Sequence, residues 1–130
     1  MPSASADGSG MRILIVDDSR VMRQIVARTL RQAGFGGHDL VEAGNGVEGL
    51  AAVAQHEPDL VLSDWNMPEM NGIDMLAALR SRGDARPFGF VTSEGSSEMV
   101  GRAEAAGATF VITKPFTAEG FREKLEPVLG

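Results

Sequence analysis

Apolar residues in this chain fall into short blocks, separated by stretches in which they recur every three or four positions. The blocks at 12–17, 40–43, 60–64, 88–92 and 108–113 are rich in Val, Ile, Leu and Phe. Brief continuous runs of β-branched and large apolar residues suit strands of a parallel sheet covered on both faces. The first and third runs are expected to be the most buried.

The stretches between them carry a helical period. In the first, Met22, Ile25, Val26, Thr29, Leu30 and Ala33 stand at i, i+3, i+4, i+7, i+8 and i+11, one stripe of a helix. Ser19 stands where an N-cap belongs and Gly34 where a helix stops. Further helices are predicted over 47–55, 72–80, 98–106 and 118–129, with connections rich in Gly, Pro, Asn and Asp. Five strand–helix units without an internal repeat predict one three-layer α/β/α sandwich. Residues 1–10 are mostly Ser, Ala, Gly, Pro and Asp, with too little apolar surface to offset ordering entropy. They are expected to be a loose tail or expression remnant, leaving 11–130 as the domain.

Composition narrows the chemistry. A chain of 130 residues, 43% hydrophobic, suffices for one domain with a core and is too short for two of ordinary size. A net charge of −6 and a pI near 4.8 argue against a nucleic-acid or anionic-membrane surface, and favour small cations and basic partner patches. The absence of cysteine excludes disulfides, thiolate zinc and thiol catalysis, and His38 and His56 are too few for an imidazole metal cage. No apolar run approaches the roughly 20 residues that span a bilayer. The amino terminus lacks a basic region followed by a hydrophobic one, so a cytoplasmic protein is expected.

Carboxylates remain. Asp17 and Asp18 end the first apolar run and Asp64 the third, while Thr92 closes the fourth and Lys114 follows the fifth. In an open parallel sheet the carboxyl ends of the strands share one rim, where ligands gather. Each residue alone has an ordinary reading: a strand-end Asp caps the next helix, a Thr completes a strand, a Lys is a solvated charge. Acids that converge repel, raise their own pKa values or recruit a cation, and an oxygen-only set suits magnesium best.

The strings Leu14-Ile15-Val16-Asp17-Asp18-Ser19, Ser63-Asp64-Trp65-Asn66-Met67-Pro68 with Asn71-Gly72, Val91-Thr92-Ser93-Glu94 and Lys114-Pro115-Phe116 carry a specific likeness. In order and spacing the chain resembles the receiver domain of two-component response regulators, the chemotaxis regulators above all, over essentially all of 11–130. The resemblance implies a flavodoxin-like, doubly wound five-stranded sheet in the order 2-1-3-4-5. It makes Asp64 the acceptor of a phosphoryl group from a histidine kinase or histidine phosphotransfer protein. It assigns Mg2+ to Asp18, Asp64 and the main-chain carbonyl of Asn66, with Asp17 acting through bound water. Lys114 and Thr92 would hold phosphoryl oxygens, helped by the main-chain N–H groups of Trp65 and Ser93, and a cis peptide before Pro115 would aim the lysine inward.

The same resemblance places Asn66 and Glu94 beside the path of hydrolytic water, implying a short-lived phosphoryl group. The output surface would lie on the fourth helix, fifth strand and fifth helix, about 98–129, with Met99, Val100 and Phe121 as candidate contacts, although core packing accounts for any one of them equally well. The target would be a motor switch protein or another kinase. The expected protein is a monomer that signals rather than turns over substrate, with no nucleic-acid or membrane partner.

One position departs from the chemotaxis pattern: Val111 stands three residues before Lys114, where those regulators carry an aromatic. Phe110 cannot substitute, because neighbouring strand side chains face opposite sides of the sheet. The departure loosens the tie to a flagellar motor and leaves open a relay or kinase-regulating receiver. On the first helix, Arg20, Arg23, Gln24 and Arg31 share one polar face, suited to an acidic patch on a kinase or phosphotransfer domain.

Three rivals fare worse. A magnesium-dependent aspartate phosphohydrolase would have a second Asp two residues after its nucleophile, where this chain has Asn66, which cannot shuttle a proton. A flavodoxin-like FMN carrier would suffer repulsion between its phosphate and Asp17 and Asp18. A receiver that only binds partners has no need of the intact acid cluster, Thr92 and Lys114.

Overall fold

Five strands alternate with five helices in the computed structural model, which describes residues 10–129. In chain order they are β1 (Arg12–Val16), α1 (Arg20–Gln32), β2 (Asp39–Ala43), α2 (Gly46–His56), β3 (Leu60–Ser63), α3 (Gly72–Ser81), β4 (Phe88–Thr92), α4 (Ser97–Ala105), β5 (Phe110–Thr113) and α5 (Ala118–Leu129). All strand pairs are parallel and the sheet order is β2-β1-β3-β4-β5. The flavodoxin-like order implied by the family resemblance is therefore the order found. Because β2 and β3 flank β1 on opposite sides, the loops after β1 and β3 diverge and leave a crevice at the rim.

Alternation along the strands sends side chains into two cores. Leu14, Val16 and Val61 pack with Met75, Leu76 and Leu79 of α3 and Ala103 of α4 on one face. Ile13, Ile15 and Leu62 pack with Val26 and Leu30 of α1 and Phe121 and Leu125 of α5 on the other. Each helix owes its place to an apolar stripe that must be covered. Side chains start them too: Ser19, Asn45, Asn71 and Ser96 accept the N–H groups of Met22, Glu48, Asp74 and Met99. Gly34, with φ 99°, ends the first helical turnaround in the left-handed region that favours glycine.

Burial departs from expectation in one respect. β4 is buried at every position, as is β3, whereas β1 begins with half-buried Arg12. β4 lies between two strands and under helices on both faces, and its Phe88 and Phe90 supply bulk that the first run lacks. Phe110 and Val111 occupy opposite cores, as strand alternation requires. The Phe110 ring lies against Gly89, where an added Cβ would come within 2.0 Å of it.

Of the expected tail, residues 1–9 fall outside the described residues. Gly10, counted with that tail, is buried, with an added Cβ meeting the Gly37 carbonyl oxygen at 2.8 Å. Among the described residues no helix is long and apolar enough to cross a membrane.

Candidate functional site

The two strands that end in acids present them in the same way. Asp17 and Asp64 each lie one residue past their strand, with the N–H still in the ladder: Asp17 N donates to the Ala43 carbonyl at 3.1 Å and Asp64 N to the Val16 carbonyl at 2.9 Å. The backbone is thus fixed up to the residue whose side chain turns over the rim. Asp18, the next residue, is exposed. Carboxylate oxygens of Asp17, Asp18 and Asp64 lie within 4.8 Å of one another.

Asp17 is the buried member, 5% exposed. One oxygen accepts the N–H of Ser19 at 2.8 Å and the other lies 3.3 Å from Lys114 Nζ. Burial pushes its pKa up from the usual 3.8, opposed by the Ser19 hydrogen bond and the Lys114 ammonium, and reinforced by the Asp64 charge. Asp64 accepts the N–H of Trp65 at 2.7 Å through Oδ1, while Oδ2 lies 3.4 Å from Lys114 Nζ. Lys114 therefore bridges two of the three acids. It reaches them from the end of β5, and the Lys114–Pro115 peptide is cis.

Thr92 is fully buried at the end of β4, and its hydroxyl oxygen accepts the N–H of Glu94 at 3.1 Å. The hydroxyl proton is left to donate elsewhere. Asn66 and Glu94, from the loops after β3 and β4, meet side chain to side chain, Nδ2 donating to Oε1 at 3.3 Å. Asp17, Asp18, Asp64, Asn66, Thr92 and Lys114 thus all stand on one rim, with the three acids in mutual reach and the lysine beside Asp17 and Asp64.

The donor set fits a hard dication. Three carboxylates offer only oxygen, exposed Asp18 and part-exposed Asp64 are the accessible pair, and Asp17 has both oxygens engaged by protein donors. Magnesium, which keeps much of its water, asks for no more protein oxygens than this.

Sequence motifs alone left several supporting contacts unseen. Arg23 donates to the Asp17 carbonyl and to Glu42. Ser63 Oγ donates to the Asp64 carbonyl oxygen at 2.8 Å, and a Cβ at Gly72 would fall 2.2 Å from that same oxygen. Gly72 was visible as part of a motif; its reason, close approach of α3 to the Asp64 backbone, is a tertiary fact. The guanidinium of Arg102 lies over the indole of Trp65.

Of the three residues that could be either output contacts or core, Phe121 is core: it is fully buried on the inner side of α5 with Leu125 and the α1 residues. One docking expectation needs correction. On α1, Arg20, Gln24 and Arg31 are exposed, but Arg23 is committed to Asp17 and Glu42 and is withdrawn from the docking face. Met99 and Val100 are half-buried on α4.

Comparison with known proteins follows this geometry. The family model of the response regulator receiver domain matches residues 13–126. The chain belongs to that family. Chemotaxis protein CheY1 of Helicobacter pylori is 42% identical over 125 residues, covering 92% of this chain and 98% of that protein. A Campylobacter jejuni chemotaxis protein CheY homolog is 42% identical over 123 residues, covering 92% and 93% respectively. The crystal structure of Vibrio cholerae CheY4 superposes with a TM-score of 0.81 at 35% identity, covering 93% of this chain and all of that one. The receiver is therefore CheY-like in sequence and in fold, a signalling domain rather than an enzyme of the usual kind.

Proposed function

We propose that this receiver accepts a phosphoryl group on Asp64 from the phosphohistidine of a histidine kinase or histidine phosphotransfer protein, with Mg2+ held by Asp18, Asp64 and the main-chain carbonyl of Asn66. An Asp64 carboxylate oxygen attacks phosphorus, the P–N bond breaks with its electron pair on the imidazole, and an acyl phosphate forms. Bound magnesium would relieve the repulsion between the carboxylate and the incoming phosphoryl oxygens. The chain's own residues do the rest. Lys114 supplies a positive charge at phosphoryl oxygen, Thr92 turns its free hydroxyl proton toward another, and Asp17 keeps the lysine and the metal's water oriented.

The observation that carries this reading is the Lys114 amine poised 3.3 Å from Asp17 and 3.4 Å from Asp64, in a pocket with three acids on an otherwise solvated rim. A groove of about 360 Å³ lined by Met22, Ile25, Lys114, Pro115 and Phe116 opens beside the lysine. Val21, 65% exposed at the start of α1, adds apolar surface near exposed Arg20 and Gln24. An acidic, partly apolar phosphodonor surface fits that side of the rim. Asn66 and Glu94 meet side chain to side chain, and water that hydrolyses the product is read as passing beside them, which fits a short-lived signal.

Output is read as passing from Thr92 and its loop to the α4–β5–α5 face, in chemotaxis or motility, with the protein acting as a cytoplasmic monomer. The relatives' printed names as chemotaxis proteins support the chemotaxis part of this reading. Val111 supports a second reading, a relay or kinase-regulating receiver, because the position is a half-buried valine in the core facing α4 and offers no aromatic rotamer to switch.

The test is incubation with acetyl phosphate and magnesium, followed by intact-mass spectrometry of the wild type and Asp64→Asn. A phosphoryl-sized mass increase is expected in the wild type alone. A wild type that gains no mass, with or without magnesium, would falsify the phosphoacceptor reading. Binding of the phosphorylated protein to a flagellar switch protein, compared with binding to a histidine kinase, separates the two outputs.

A further inference from the structure

The Arg23 side chain ties the peptide that follows β1 to the side chain of Glu42 on the neighbouring strand β2. From the first turns of α1 its Nη1 donates to the main-chain carbonyl of Asp17 at 2.5 Å, and its Nε donates to Glu42 of β2 at 2.7 Å. That carbonyl belongs to the peptide group joining Asp17 to Asp18. It lies beyond the end of β1 and before the first residue of α1, where neither ladder nor helix provides a donor. Arg23 provides one.

The consequence is positional. Asp17 is held by its N–H to Ala43, by one carboxylate oxygen to Ser19 and by the other to Lys114. The direction in which Asp18 leaves this fixed residue is set by rotation of the intervening peptide, and Arg23 fixes that rotation. Glu42 in turn fixes Arg23. The Glu42 side chain is 48% exposed, so the ion pair adds little stability by itself, whereas the Arg23 side chain is only 17% exposed and spans both contacts. A planar guanidinium donates in two fixed directions, which a single ammonium does not.

We propose that Arg23 is a positioning residue for the divalent-cation site, presetting Asp18 by clamping the Asp17–Asp18 peptide against β2. This rests on the reading of the acid cluster as a magnesium site. Charge and position act in opposite senses here: deleting a cation near three carboxylates strengthens magnesium binding, while releasing Asp18 weakens it. The sign of the change therefore separates the two roles.

The experiment is magnesium titration of the full chain by calorimetry and by Trp65 fluorescence, for wild type, Arg23→Met and Arg23→Lys. Methionine keeps the apolar stem; lysine keeps the charge and the stem but not the double contact, so it tests the proposal if the methionine variant does not fold. Affinity is expected to fall about tenfold in Arg23→Met, the low end of what removing a supporting partner of a metal ligand produces, and part of the way in Arg23→Lys. The initial rate of phosphorylation by acetyl phosphate should recover in both variants at saturating magnesium, a change in the magnesium concentration required and not in the maximal rate.

Unchanged or tighter binding in Arg23→Met, or wild-type affinity in Arg23→Lys, overturns the positioning role. Wild-type protein that binds no magnesium overturns the metal site itself, and is distinguishable because no variant comparison is then needed.

Discussion

Arg102 of α4 lies with its guanidinium carbon 5.6 Å from the centre of the Trp65 indole, while the main-chain N–H of Trp65 is bonded to the Asp64 carboxylate. The indole also meets the Phe90 ring, 4.7 Å away, so a buried aromatic next to the candidate phosphoacceptor is faced by a charge from outside. Arg102→Ala is expected to cost about 0.5–1 kcal/mol, the size of a cation–π contact at a partly exposed site. Urea unfolding measures the loss. A shifted Trp65 emission maximum in the folded variant should accompany it, and an unchanged spectrum would mean that the guanidinium does not rest on the ring in solution.

Asp17 makes the stability of this protein depend on pH in an unusual sense for a carboxylate. Burial raises its folded pKa above the unfolded 3.8, so the folded state holds the proton more tightly. Where the folded state binds more protons, stability falls as pH rises. The loss begins near 3.8 and is complete above the raised folded value. Asp17→Asn, which lacks the ionisable proton, should match the wild type below that window and exceed it above. At neutral pH and without metal its Tm should be higher than that of the wild type. Paired urea titrations across acid pH check the divergence. Asp84 works in the other direction: its hydrogen bonds and ion pair with Arg86 hold its pKa down, so its contribution is present above 3.8 and vanishes as pH falls through the folded value.

Magnesium should stabilise the fold by linkage, since the acids converge only when β1 and β3 are paired. At a free concentration a hundred times the dissociation constant, the gain is about 2.7 kcal/mol. Asp18 is exposed, so Asp18→Asn should leave metal-free stability within about 0.5 kcal/mol of wild type while removing most of that gain. Thermal melts with and without magnesium, with calcium for comparison, decide it. A large loss of metal-free stability in Asp18→Asn would give that residue a structural role the geometry does not show.

Gly72 carries a steric demand at the site. An added Cβ would meet the Asp64 carbonyl oxygen at 2.2 Å and the Phe90 ring at 2.9 Å, and backbone cannot yield as a flexible side chain does. Gly72→Ala should therefore cost about 3 kcal/mol, at the upper end of overpacking penalties. Relief by displacement of α3 would also drag Asp64, so weaker magnesium binding in the folded fraction is expected. Calorimetric unfolding with a parallel metal titration reads both effects.

Element positions were legible because period and caps agree. The first helical stripe from Met22 to Ala33, with Ser19 before and Gly34 after it, needed no tertiary information, and α1 closes where those residues say. Rim residues were legible for a different reason: a residue ending a strand in a parallel sheet has only one place to be. What escaped reading depends on distances between segments remote in sequence. The demand for glycine at 72 comes from the Asp64 carbonyl, and the use of Arg23 comes from Glu42, which lies on another strand. Phe121 could be left only as surface or core from its helical position, and the packing of α5 on α1 makes it core.

Lys114, lying between Asp17 and Asp64, would act as a tethered competitor at the proposed cation site. With all three acids ionised, three carboxylates against one ammonium leave a formal deficit of two positive charges. A single dication makes up that deficit in one particle, whereas sodium or potassium leaves half of it and must still contend with an ammonium that cannot diffuse away. On the proposed reading the lysine would filter by valence, and with a dication bound it would leave an incoming phosphoryl group a pocket close to electroneutral.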